Sequence, residues 1–79
     1  MPMVHIYITR EGTGEGRTAA TAEEKAKLIA GVSDLLLDTL GKPKSATFVA
    51  IHEVETDNWG WGGLPALEYR KTLEGGGGF

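Results

Sequence analysis

Pro2 is the residue of this 79-residue chain whose position most directly suggests chemistry. Removal of Met1 after synthesis would leave the nitrogen of Pro2 as a free secondary amine, which can carry a proton. An amine can act as a general base when apolar walls or neighbouring cations lower its pKa towards neutrality. A structural explanation also fits, because proline is tolerated at the first residue of a strand. The position alone therefore leaves a catalytic and a structural explanation open.

Three glycines after the first strand match part of the dinucleotide-binding sequence motif. Gly12, Gly14 and Gly16 alternate with other residues, but Arg17 stands where the third glycine of the fingerprint belongs. A chain of 79 residues is also too short to supply the rest of such a domain. The sequence therefore predicts no nucleotide cofactor.

Side chains that bind metals or attack substrates are sparse. The chain has no cysteine, and His5 and His52 have no further ligand at metal-binding spacing. Glu53 follows His52 but is expected to point to the opposite face of its strand. Ser33 and Ser45 lack the setting of a catalytic nucleophile. We predict ordinary strand histidines, no metal site and no serine hydrolysis.

Two strands and one helix are predicted to position the candidate residues. Apolar and other residues alternate from Val4 to Ile8, which is the period of a half-buried strand. The residues Thr21-Ala-Glu-Glu24 have the spacing of a capping box, so a helix should begin near Ala22. Gly41 and Pro43 are suited to end this amphipathic helix.

The second strand is predicted at residues 46–54, where β-branched and aromatic residues are frequent. A strand, a helix and a second strand form a βαβ unit, which implies parallel pairing and a right-handed crossover. One helix covers one face of such a sheet, so the other face, which includes Phe48, needs another cover. Farther on, Gly60, Gly62 and Gly63 predict tight turns or close backbone approach.

Length and composition limit the remaining possibilities. Residues 1–79 make a single domain, in which residues 75–79 are predicted to form a flexible tail. A core this small contributes little stability. Because the chain has no disulfides, self-association is the expected source of additional buried surface. Eight Lys and Arg residues against eleven Asp and Glu residues give no basic surface for nucleic acid. With no apolar run long enough for a membrane span and no signal peptide, we expect a soluble cytoplasmic protein.

The order of these motifs resembles the 4-oxalocrotonate tautomerase family over about residues 2–63. An initial proline opens a strand, the helix sequence AEEKAKLIAGVSDLLLDTLGKP follows, and FVAIHEVETDNWGWGG comes next. The resemblance implies an α+β fold with a βαβ protomer, assembly into dimers and commonly a hexamer, and no metal or cofactor. It also implies that Pro2 acts as general base and then acid on a small enol or unsaturated carboxylate.

The same resemblance suggests further site residues. Trp59 aligns with an aromatic wall of the family site. Arg10 and Arg17 lie on the loop between strand and helix, where a guanidinium group could hold a substrate carboxylate through paired hydrogen bonds. Solvated loop charges are the alternative explanation for both arginines, because arginine is usually exposed.

Two departures from the family pattern keep other functions open. Phe48 occupies the position of a strand arginine that polarises the substrate carbonyl in the best-known members, and we expect it to line or border the site. The loop between Glu11 and Ala20 is also longer than in those members. One alternative is hydration or dehalogenation with the same proline, for which Glu11 or Glu15 could activate water. Another is a noncatalytic oligomeric binding protein, which retention of Met1 would favour.

Overall fold

The computed structural model describes residues 1–11 and 19–74. Within these residues the chain forms four strands and two α-helices, in the order β1 (Met3–Thr9), α1 (Ala22–Leu40), β2 (Phe48–Val54), β3 (Gly60–Trp61), β4 (Leu64–Pro65) and α2 (Ala66–Glu74).

Strands β1 and β2 form a parallel pair, with a register that runs from Met3 opposite Phe48 to Thr9 opposite Val54. Helix α1 lies between them in the chain, so the predicted βαβ unit is confirmed. Parallel strands cannot be joined by a tight hairpin, and α1 supplies the crossover that returns the chain to the same end of the sheet.

Both predicted ends of α1 are confirmed. The Thr21 hydroxyl accepts a hydrogen bond from the Glu24 N–H at 3.1 Å, and the Glu24 carboxylate accepts one from the Thr21 N–H at 2.9 Å. At the other end Gly41 has φ 68°, the left-handed conformation that a helix-terminating glycine adopts. Local signals therefore fix the start and the end of α1.

The second strand begins two residues later than predicted, at Phe48 rather than at residue 46. Lys44–Ala46 form a turn of 3₁₀ helix instead. The Pro43 carbonyl accepts both the Ala46 N–H and the Thr47 hydroxyl at 3.0 Å, which holds this segment in a turn. Local hydrogen bonding thus overrides the β propensity of the residues before Phe48.

The segment after Trp59 forms a hairpin and a second helix. Strands β3 and β4 pair in antiparallel fashion, and Gly62 and Gly63 between them have φ 63° and 84°, which confirms the predicted tight turn. Helix α2 was not predicted. It packs back on the hairpin, where the Tyr69 ring lies 4.7 Å from that of Trp61.

The protomer buries little of its apolar surface. Among the described residues that are hydrophobic, Ala66 alone is fully buried. Tyr7 on the sheet is 56% exposed and Leu35 on α1 is 63% exposed, and Phe48 is exposed as well. The sheet face that includes Tyr7 and Phe48 therefore has no cover within the described part of one chain.

Neither helix in the described ranges has the length and apolar character needed to cross a membrane.

Candidate active site

Pro2 lies half-buried directly before β1, beside the first residue of β2. Its carbonyl accepts a hydrogen bond from the Phe48 N–H at 3.1 Å. The pairing of the strands thus fixes the backbone around Pro2 and places Phe48 next to it. Of the proposed site residues that the structure describes, Phe48 is the one that lies next to Pro2.

A cavity of about 340 Å³ lies at the opposite end of β1. Strand β1, the following residues, the hairpin and α2 all contribute to its wall, which consists of Tyr7, Ile8, Thr9, Glu11, Trp59, Trp61, Ala66 and Arg70. Trp59, the predicted aromatic wall, is held through its backbone: its N–H donates to the Thr56 carbonyl at 3.2 Å and its carbonyl accepts from Ala66 at 2.8 Å. The cavity therefore combines aromatic rings with one acidic and one basic side chain.

The polar groups of the cavity form an ion pair. An Arg70 guanidinium nitrogen donates to the Glu11 carboxylate at 2.7 Å, and the Thr9 hydroxyl donates to its other oxygen, also at 2.7 Å. The hydrogen bond from Arg70 is the main cause that lowers the pKa of Glu11 below its ordinary value, and the Thr9 bond adds to it. Glu11 is thus a carboxylate at neutral pH with donors at both oxygens.

Arg10 lies outside the lining of this cavity. Its guanidinium contacts the Glu55 carboxylate at 2.8 Å and the Glu53 carboxylate at 3.9 Å, while its backbone N–H donates to Val54 at 2.8 Å. The proposed role of Arg10 in carboxylate binding stays a prediction. Arg17, the glycines near it and Glu15 lie outside the described residues, as do residues 75–79.

Glu53 connects the start of α1 to β2 and to Arg10. Its carboxylate pairs with Lys25, accepts the Ala20 N–H at 2.9 Å and lies near Arg10. The bond from Lys25 is the main cause that lowers the pKa of Glu53, followed by the bond from Ala20. The sequence prediction that Glu53 faces away from His52 agrees with these contacts, which are on the α1 side of the sheet.

His5 and His52 approach each other on the uncovered face, although their spacing in the sequence does not indicate it. The parallel register brings His5 Nδ1 to 2.9 Å from His52 Nε2, and the Tyr7 ring stacks on that of His52 with centroids 4.5 Å apart. Within residues 1–11 and 19–74 no three metal-binding side chains cluster.

The two parts of the candidate site are far apart in one protomer. Pro2 precedes β1, whereas the cavity begins at Tyr7 and ends beyond Thr9. At about 3.3 Å per strand residue, the Pro2 nitrogen lies on the order of 20 Å from the cavity. Trp59 and Arg10 were expected beside Pro2, and in the described part of one protomer neither lies there.

Comparisons with known proteins agree with the fold. The model of a family described as "Tautomerase enzyme" matches residues 2–66. A probable tautomerase K2 from Dickeya dadantii is 54% identical over 90% of this chain and 96% of its own length. A 2-hydroxymuconate tautomerase from Pseudomonas putida is 38% identical over 86% of this chain and 95% of its own. The structure of a heterohexameric 4-oxalocrotonate tautomerase from Chloroflexus aurantiacus J-10-fl superposes with a TM-score of 0.66 at 26% identity, covering 86% of this chain and 97% of that one.

Proposed function

Because the chain belongs to the tautomerase family of isomerases, we propose that it interconverts the enol and keto forms of a small unsaturated carboxylate, with Pro2 as the proton carrier. The observation that carries this proposal is the placement of Pro2, which directly precedes β1 and is fixed against β2 by the bond from Phe48. Removal of Met1 converts its nitrogen from an amide into a basic secondary amine.

The proposed reaction is a proton transfer in two steps. The amine of Pro2 removes the proton from the enol hydroxyl, and the electron pair of that oxygen shifts through the conjugated system as the carbonyl forms. The protonated amine then returns the proton to carbon, so the amine is regenerated and the substrate gains and loses no atoms. The name of the 38% identical relative makes 2-hydroxymuconate a suitable first substrate to test.

A complete site requires a second copy of the chain. The distance between Pro2 and the aromatic cavity is too large for one small substrate to touch both in a single protomer. Strand β1 pairs only with β2 in its sheet, so one edge of β1 has no strand partner in the described chain. A second β1 that runs antiparallel along this edge would bring its Pro2 towards the cavity end of the first strand. Trp59 and the other aromatic rings would then exclude water from the amine and favour its uncharged form.

The predicted assembly contains at least two chains, and the family resemblance favours a hexamer. The exposed sheet face and the exposed leucines of α1 supply apolar surface for contacts between copies. Sedimentation equilibrium or light scattering at micromolar concentration should give a mass of two or more chains, with six expected. A folded, stable monomer under these conditions would contradict both the assembly and the shared site.

The state of the amino terminus provides the direct test of the proposal. Two preparations are compared, one in which intact mass shows that Met1 is absent and one in which an added residue keeps the Pro2 nitrogen in an amide. Turnover of 2-hydroxymuconate, followed by its ultraviolet absorbance, should be present in the first and fall to the uncatalysed rate in the second.

Equal melting temperatures and equal masses in solution serve as the control, because they show that only the amine differs. If the blocked chain is as active as the processed one, Pro2 only leads into β1 and takes no part in the reaction. If neither preparation is active although the processed chain is folded, the proposed tautomerisation of 2-hydroxymuconate is contradicted, and hydration or dehalogenation and a noncatalytic binding role are the alternatives.

A further inference from the structure

Helix α2 contributes a cation to the cavity although all but its first residue lies beyond residues 2–66, the part that matches the family model. Arg70 follows Tyr69, whose ring packs beside Trp61 and directly over Gly62. A side chain at Gly62 would overlap this ring, so the turn and α2 are in close contact. The hairpin therefore sets the position of Arg70 at the cavity wall.

The Glu11 carboxylate shows what kind of ligand Arg70 accepts in this place. The guanidinium donates to it at 2.7 Å, which is the distance of a charge-assisted hydrogen bond. Both side chains are partly open to solvent, with 44% of the Arg70 side chain and 36% of the Glu11 side chain exposed. Ion pairs exposed to this degree contribute little to stability, so another carboxylate can replace Glu11 at small cost.

We propose that Arg70 binds a carboxylate group of the substrate and that Glu11 occupies this position as an internal competitor when the site is empty. The inference rests on the proposed function for the identity of its ligand, a planar conjugated carboxylate. The rings of Tyr7, Trp59 and Trp61 provide flat apolar walls beside Arg70 that suit such a molecule. Arg70 is thus a specificity residue, whereas Pro2 carries the proton.

A purely structural role for the ion pair makes a different prediction. If the pair only ties α2 to the end of β1, removal of either partner should have the same effect on ligand binding. If Glu11 competes with the ligand, removal of Arg70 should weaken binding and removal of Glu11 should strengthen it. Opposite signs for the two variants therefore separate the two roles.

Binding can be measured without turnover, because both tryptophans of the chain line the cavity and report on its occupancy. The probe is cis,cis-muconate, which is a planar dicarboxylate without the reactive hydroxyl, and the readout is tryptophan fluorescence of the processed protein. Arg70→Gln should raise the Kd by about tenfold or more, as expected for a lost hydrogen bond between charged groups. Glu11→Gln should lower the Kd by about two- to fivefold, the range of an exposed ion pair.

Lys71→Gln is the matched control. It removes one positive charge from the neighbouring position of α2, where Lys71 is exposed and pairs with Glu68 rather than with a cavity residue. Its Kd should stay within about twofold of the parent value, which shows that net charge alone does not explain the effect of Arg70. Arg70→Lys should recover part of the lost affinity, because it keeps the charge but not the planar pair of donors.

Kinetics distinguish a failure of this inference from a failure of the proposed function. With 2-hydroxymuconate, Arg70→Gln should raise KM more than it lowers kcat, whereas loss of turnover on changing Pro2 tests the reaction itself. An unchanged Kd in Arg70→Gln, or shifts of the same sign in Arg70→Gln and Glu11→Gln, overturns the role of Arg70 even when the protein is an active tautomerase. Should Arg70→Gln not fold, the sign of the Glu11→Gln shift decides.

Discussion

Replacement of Pro2 by alanine is expected to lower kcat/KM for 2-hydroxymuconate at least tenfold. General bases typically contribute about 10²- to 10⁴-fold to a rate, and the primary amine that alanine supplies keeps part of this contribution. It is more flexible than the ring nitrogen of proline, so it holds the proton less well aligned with the substrate. Initial rates on the processed variant, with its terminus verified by intact mass, measure the loss.

Pro43→Ala is the matched control for this substitution. Pro43 precedes the 3₁₀ turn that leads into β2 and contributes through its carbonyl, which alanine retains. Its kcat/KM should therefore remain near the parent value. A processed parent that is no faster than Pro2→Ala would contradict the advantage expected of the ring nitrogen of Pro2.

Gly62→Ala is expected to cause the largest loss of stability of any substitution considered. A methyl group at this position overlaps the Tyr69 ring at Cε2 and Cδ2, and φ 63° is a conformation that non-glycine residues disfavour. Left-handed backbone costs about 1–2 kcal/mol and overpacking about 1–3 kcal/mol, which gives about 2–5 kcal/mol in total. Urea unfolding at one fixed protein concentration measures this free energy.

Substitutions at two other glycines distinguish the backbone cost at Gly62 from the clash with Tyr69. Gly63 has φ 84°, but a methyl group there would meet open space, so Gly63→Ala should show the backbone cost alone. Gly31 lies within α1 with nothing near it, and Gly31→Ala should stabilise the protein by about 0.5–1 kcal/mol. Equal losses in Gly62→Ala and Gly63→Ala would contradict a clash with Tyr69.

The main βαβ unit could be predicted because its signals are local. The capping box at Thr21, the glycine at position 41 and the alternation in β1 each involve residues close together in the chain. Helix α2 could not be predicted in the same way, since its nine residues provide few turns in which an apolar periodicity can be recognised. It is stabilised by contacts such as that of Tyr69 with Trp61, which are visible only once the hairpin has formed.

The sequence could propose site residues only where a position or the family pattern suggested a role. Pro2 was proposed from its position, and Phe48 and Trp59 through the family pattern, and their roles stay predictions. Glu11 and Arg70 are 59 positions apart, and no spacing rule connects an acidic residue after a strand with an arginine on a helix near the other end. Their meeting depends on how α2 packs, so the cavity with its ion pair appears only in the folded chain.

The scarcity of buried side chains has a consequence for how this protein folds. Apart from Ala66, the hydrophobic residues of the described segments keep contact with water in a single chain, so burial within one chain contributes little free energy to folding. A species that binds only the folded form stabilises it more as the concentration of that species rises. In the proposed assembly that species is another copy of the chain, and dilution is therefore expected to act in the same direction as a denaturant.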